Sequence, residues 1–67
     1  MKDEGTSFRG LLLKETGNAR LIRVVDREIW IPKSVCLAFR KNGHPDTNGH
    51  IDVRVEVEDW FATKNDL

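Results

Sequence analysis

The sequence predicts a mainly β, β-rich α+β domain: a small curled antiparallel sheet, or partly open barrel, of four or five strands with a short C-terminal helix. Three observations predict it. The stretch "IDVRVEVE", Ile51 to Glu58, alternates apolar and polar residues without a fault, which is the period of a strand with one face in water. "FRGLLLKE" and "ARLIRVV" are rich in aliphatic and β-branched residues and flank the turn signal "TGN". The chain has 67 residues, which suits one domain with a thin core, since a chain of this length buries only about 60% of the surface it exposes unfolded.

The elements follow in order. Residues 1–7 read as a frayed end. Phe8 to Lys14 form the first strand, and Gly10 within it signals a bend, a bulge or a close backbone approach. Thr16 to Asn18 turn the chain, and residues 19–25 form the second strand. A two-residue loop at Asp26 and Arg27 would set Val25 opposite Glu28, Val24 opposite Ile29, Arg23 opposite Trp30 and Ile22 opposite Ile31. Ile22, Val24, Ile29 and Ile31 would then share a core face, with Trp30 on the other. Asp-Arg is not the preferred pair for such a turn, and a longer loop is the alternative. Pro32 cannot donate to a ladder, so it marks a strand end or an edge.

"KSVCLAFRK" is read as extended with Val35, Leu37 and Phe39 inward, although Ser34 could cap a helical turn instead. Residues 42–50, "NGHPDTNGH", form a flexible loop. After the Ile51–Glu58 strand, Asp59 is placed to cap a short helix, which would set Trp60 or Phe61 over the open end of the sheet. A curled sheet of this size approaches an SH3-like or OB-like barrel.

Composition excludes several classes. With 39% hydrophobic and 33% charged residues and zero net charge, the chain lacks the composition of a disordered one. No apolar run reaches the ~18 residues of a membrane span. The N-terminal "MKDEGTSFRG" lacks the apolar core of a signal peptide. The single cysteine, Cys36, cannot form an internal disulfide, which fits a reducing, cytoplasmic setting. Charge is segregated. Up to Lys41 there are nine Lys/Arg and five Asp/Glu (9 − 5 = +4), and from Asn42 onward two and six (2 − 6 = −4). Such asymmetry either orients a partner or draws the two halves of the fold together.

Catalytic chemistry has little to stand on. Cys36 with His44 or His50 is the one nucleophile pairing, and cysteine is more often buried than reactive. Glu58 and Asp59 sit where helix capping explains them. Cys36, His44, Asp46, His50 and Asp52 match no zinc spacing. The chain is therefore expected to be no enzyme and to hold neither metal nor cofactor. The candidate partner-binding set is Trp30 and Arg23 with Arg20, Arg27 and Lys33 around the central hairpin. Arginine with an exposed aromatic residue suits a protein interface, and the same pair suits a single-strand nucleic-acid platform. Trp30 and Trp60 could instead complete the thin core.

"ETGNARLIRVVDREIWIPKS" and "VEVEDWFATKNDL" resemble a class of very small proteins encoded by bacteriophages and other mobile elements. That class shows a "(V/I)DGE(V/I)W(I/L)PKS" hairpin and a terminal "W-(F/L)-A-x-K-x-x-L" segment. The matching positions are Asp26, Glu28, Trp30, Pro32, Lys33 and Ser34, then Trp60, Phe61, Ala62, Lys64 and Leu67. Arg27 departs from the pattern's glycine, and the 42–50 loop is longer. The class has no assigned biochemical role, so the resemblance implies a phage setting and an accessory function in the bacterial host's cytoplasm. With that, the expectation is a protein that binds a host or defence-system protein, most concretely an anti-CRISPR-like inhibitor. Single-strand DNA binding is the alternative, and a homodimer would support so thin a core.

Overall fold

The computed structural model describes residues 5–67. Five strands form one antiparallel sheet: β1 (Gly5–Glu15), β2 (Ala19–Val24), β3 (Arg27–Pro32), β4 (Cys36–Asn42) and β5 (Ile51–Glu58). A 3-10 turn (Lys33–Val35) joins β3 to β4, and helix α1 (Asp59–Lys64) follows β5. The strand order is β3-β2-β1-β5-β4.

This order forces the sheet to curl. β3 and β4 are its opposite edges, yet three residues connect them. In a flat sheet the edges of five strands would stand about 19 Å apart. Four residue steps from Pro32 to Cys36 reach at most ~14 Å, and less as a 3-10 turn. The edges therefore approach each other without pairing. Arg20 on β2 consequently lies over the Phe39 ring on β4, 3.9 Å from its centroid.

β1 is the strand on which the curl turns. Residues 5–12 pair with β5, and residues 11–15 pair with β2, with a bulge between Leu12 and Lys14. Gly10 sits where the second set takes over from the first. A Cβ there would stand 2.6 Å from Ile22 Cγ2 and 2.7 Å from the Arg23 carbonyl oxygen. The sequence signal at Gly10 is thus a close backbone approach.

The alternation of β5 is realised in full: Ile51, Val53, Val55 and Val57 are buried. Leu12, Ile22, Ile31 and Val35 complete the sheet's side of the core, and Phe61 and Ala62 of α1 close one end. No helix among the described residues is long and apolar enough to cross a membrane.

Several expectations need correction. The frayed end was expected over 1–7. Residues 1–4 lie outside the described residues, while Gly5, Thr6 and Ser7 pair with Glu58, Val57 and Glu56. The β2–β3 loop is Val25–Asp26, so Val24 pairs with Arg27, Arg23 with Glu28, Ile22 with Ile29 and Leu21 with Trp30. Every partner moves two places along β3. An even shift preserves the faces, which is why the core face was read correctly although its pairs were not. The chain enters this turn with Val25 at φ +60°.

Leu37 was expected inward and is 49% exposed. A bulge between Cys36 and Ala38 interrupts the alternation. Residues 33–35 form the helical turn, and the strand begins only at Cys36. Asp59 does not cap α1. It lies in the first turn, and its Oδ1 accepts the Thr6 hydroxyl at 2.6 Å, tying the helix to β1. Of the two residues expected over the open end of the sheet, Phe61 takes that buried place, and Trp60 is 55% exposed. The loop expected over 42–50 begins after Asn42, which belongs to β4, and within it Asp46 Oδ1 accepts the amides of Asn48 (2.8 Å) and His50 (2.9 Å). Those amides hold the Asp46 carboxyl below its ordinary range.

Candidate interaction surface

The curl gives the sheet a concave face that holds the core and a convex outer face open to solvent. Register places Glu28 and Trp30 of β3, Leu21 and Arg23 of β2, Arg9 and Leu11 of β1, Asp52, Arg54 and Glu56 of β5, and Ala38 and Arg40 of β4 on that outer face. α1 leaves this face uncovered, since its buried residues join the core cluster.

The five predicted site residues divide between the two faces. Trp30 lies on the outer face of edge strand β3, 47% exposed and directly across from Leu21. Arg23 shares that face, and its Nη2 donates to Glu28 Oε2 at 3.1 Å. The expected Arg23–Trp30 pair is therefore not formed.

Arg27, Arg20 and Lys33 do not join them. Arg27 reaches back to the C-terminal segment, where its Nη2 donates to the carbonyls of Asn65 and Asp66 (2.9 Å to Asp66). A guanidinium is well placed there, because the last carbonyls after a helix lack partners.

Arg20 points into the seam between the sheet edges. Its guanidinium covers Phe39, and Nη1 lies 3.7 Å from Cys36 Sγ. Its Nε lies 3.3 Å from Glu15 Oε2, close enough for an ion pair. The alignment is too poor for a hydrogen bond, and this buried N–H has no acceptor. Glu15 Oε2 also takes Lys33 Nζ at 3.1 Å. Lys33 is the main reason the Glu15 carboxyl lies below its ordinary value; partial burial opposes it, and Arg20 and Lys41 assist. These three residues close the seam between the edges.

No family model, curated protein or solved structure matches the chain.

The outer face holds a feature that sequence reasoning missed. Arg9 pairs with Arg54, and Arg54 pairs with Arg40, so three arginines stand in one row across β1, β5 and β4. All three are exposed. Like charges directly opposite each other destabilise a sheet by tenths of a kcal/mol. Arg9 is relieved by Asp52, whose Oδ2 accepts its Nη2 at 2.8 Å. Among the described residues, no ion pair forms at Arg40 or Arg54. A shallow groove lies beside them, lined in part by Ser7, Ala38 and Glu56. In the sequence these arginines are single polar positions on three separate strands, and only the register brings them together.

Cys36 Sγ donates to the Ala38 carbonyl at 3.3 Å, and among the described residues no histidine hydrogen-bonds to it. Likewise no three His, Cys, Asp or Glu side chains among the described residues converge to hold a metal ion.

Proposed function

We propose that the chain is a non-catalytic binding module that acts by protein–protein contact through the outer face of its sheet. In the setting suggested by the phage-type sequence pattern, it inhibits a bacterial defence system in the host cytoplasm, in the manner of an anti-CRISPR protein. The observation that carries the reading is Trp30. A tryptophan is left 47% exposed on an edge strand, beside Leu21, when the core is already complete without it. Tryptophan and arginine are the residue types that dominate interface energetics.

The test is a Trp30→Ala variant. It should melt within a few degrees of the parent, because about half of the side chain is already in water. Binding to a purified defence component, captured first with the parent protein, should be lost. A variant that melts far earlier makes Trp30 part of the scaffold, and one that still binds removes it from the contact.

Single-strand DNA binding is the second reading, and the row Arg9, Arg54 and Arg40 favours it. A gel shift of short single-stranded DNA, weakening steeply as salt rises, would support it over the first.

A further inference from the structure

We infer that the arginine row is the charged half of the docking surface, and that it takes acidic side chains of a protein partner. This deepens the reading of the chain as a protein-binding module and rests on it. Three features of the row carry the inference.

The first is that the row opposes folding. Arg9 with Arg54, and Arg54 with Arg40, are two directly opposed like-charge pairs. Nothing in the sheet requires arginine at Arg40 or Arg54, both of which point to solvent. The second is spacing. Neighbouring strands stand about 4.8 Å apart, so the row spans about 10 Å. One carboxylate can bridge two guanidinium groups at that separation, accepting from each. The groove beside Arg40 and Arg54 leaves room for it, because Ser7 and Ala38 are small.

The third feature selects the partner. Arg54 is flanked along β5 by Asp52 and Glu56 on the same face. Each lies about 7 Å away along the strand, within the screening length at physiological salt. A phosphate polymer crossing the row meets these two carboxylates with further negative charge. Asp52 is already paired with Arg9, so a protein surface sets its own acids on Arg54 and Arg40 and a lysine or arginine on Glu56, and mixed charge is matched by mixed charge.

The test uses the intact chain and a defined probe. A peptide of mixed charge, Glu-Glu-Lys-Glu-Glu-Lys blocked at both ends, is titrated while the Nε–Hε signals of Arg9, Arg40 and Arg54 are followed by NMR. The signals of Arg40 and Arg54 should move together. Arg54→Thr should weaken the peptide at least about tenfold, as expected for loss of a charge-assisted hydrogen bond. An Arg40→Thr, Arg54→Thr double variant should melt at or above the parent temperature.

Four results overturn the inference. The first is no shift of the arginine signals, and the second is peptide binding that survives Arg54→Thr. The third is a large loss of melting temperature in the double variant, which would make the row structural. The fourth is an oligothymidylate of equal charge binding more tightly than the peptide at the same salt. The first three leave the protein-binding reading to its own Trp30 variant, whereas the fourth favours single-strand DNA binding over that reading as well.

Discussion

Substituting alanine at Gly10 tests the fold where its curvature depends on a single missing atom. The added Cβ would meet Ile22 Cγ2 at 2.6 Å and the Arg23 carbonyl oxygen at 2.7 Å. Real contacts of a Cβ are longer, so something must move. Ile22 is fully buried and β-branched, with little rotamer freedom, and the second obstacle is backbone. Overpacking a well-filled site costs about 1–3 kcal/mol. Replacing glycine in a strand returns about 0.5–1 kcal/mol through the unfolded chain. The expected net loss is therefore about 1–2 kcal/mol, against the ~3–10 kcal/mol that a domain of this length holds in total. At roughly 4–8 °C per kcal/mol for small domains, the melting temperature should fall by about 4–16 °C. Gly17→Ala is the control, because nothing lies within 4 Å of its Cβ position. Thermal melts followed by circular dichroism compare the two. If Gly10→Ala melts with Gly17→Ala, or above the parent, the β1–β2 approach is wrong and so is the account of the curl.

Three further predictions concern the turn, the seam and the C-terminus. Val25→Gly should raise the melting temperature, because a β-branched residue at φ +60° carries about 1–2 kcal/mol of strain that glycine avoids, and a fall would place needed packing at Val25. The Glu15 carboxyl has a folded-state pKa below its ordinary 4.5, so its contribution to stability is complete above that value and is lost as pH falls through the lowered one. Melts from pH 6 to pH 2 should therefore show a loss that shrinks in Glu15→Gln, and equal slopes in both proteins would refute the seam's role. Arg27→Ala should free the carbonyls of Asn65 and Asp66 and speed hydrogen exchange at the Leu67 amide, which donates to Ala62, while unchanged exchange would mean that Arg27 does not hold the terminus.

What the sequence made legible, and what it did not, follows from periodicity. β5 was readable because Ile51, Val53, Val55 and Val57 alternate without interruption on a strand flanked by two others. Leu37 was misread because a bulge places one extra residue in β4, and no local signal in "VCLAF" announces it. The hairpin pairs were misread because the turn chemistry is atypical: Val25 occupies a position that glycine or asparagine usually takes. Asp59 and Trp60 follow from the helix starting at Asp59, which sends the first side chain to Thr6 and the second to solvent. The candidate set divided because Arg20 and Arg27 share the parity of Ile22 and Ile29. They face the core side and serve the seam and the terminus. The arginine row depends on two long-range registers at once, and neither is encoded locally.

The residues that the fold does not need lie on the outer face of the sheet and at the hairpin tip. Trp30 is half exposed beside a finished core. Val25 holds a strained turn with a side chain that is 91% exposed. Arg54 stands between Arg9 and Arg40, and among the described residues no ion pair forms at Arg54 or Arg40. Val25 and the opposed arginines lower stability, Trp30 adds little to it, and each lies on the outer face or at the hairpin tip that borders it. By contrast, Arg20, Arg27, Lys33, Glu15 and Asp59 are charged residues whose partners lie within the chain. A thin core leaves little stability to spare, so two costly features beside a half-exposed tryptophan fit the proposed docking role of this face better than a role in folding. Val25→Gly with Arg54→Thr should raise the melting temperature, and adding Trp30→Thr should change it by only a few degrees while abolishing the proposed partner binding. A triple variant that loses stability instead would return these residues to the scaffold.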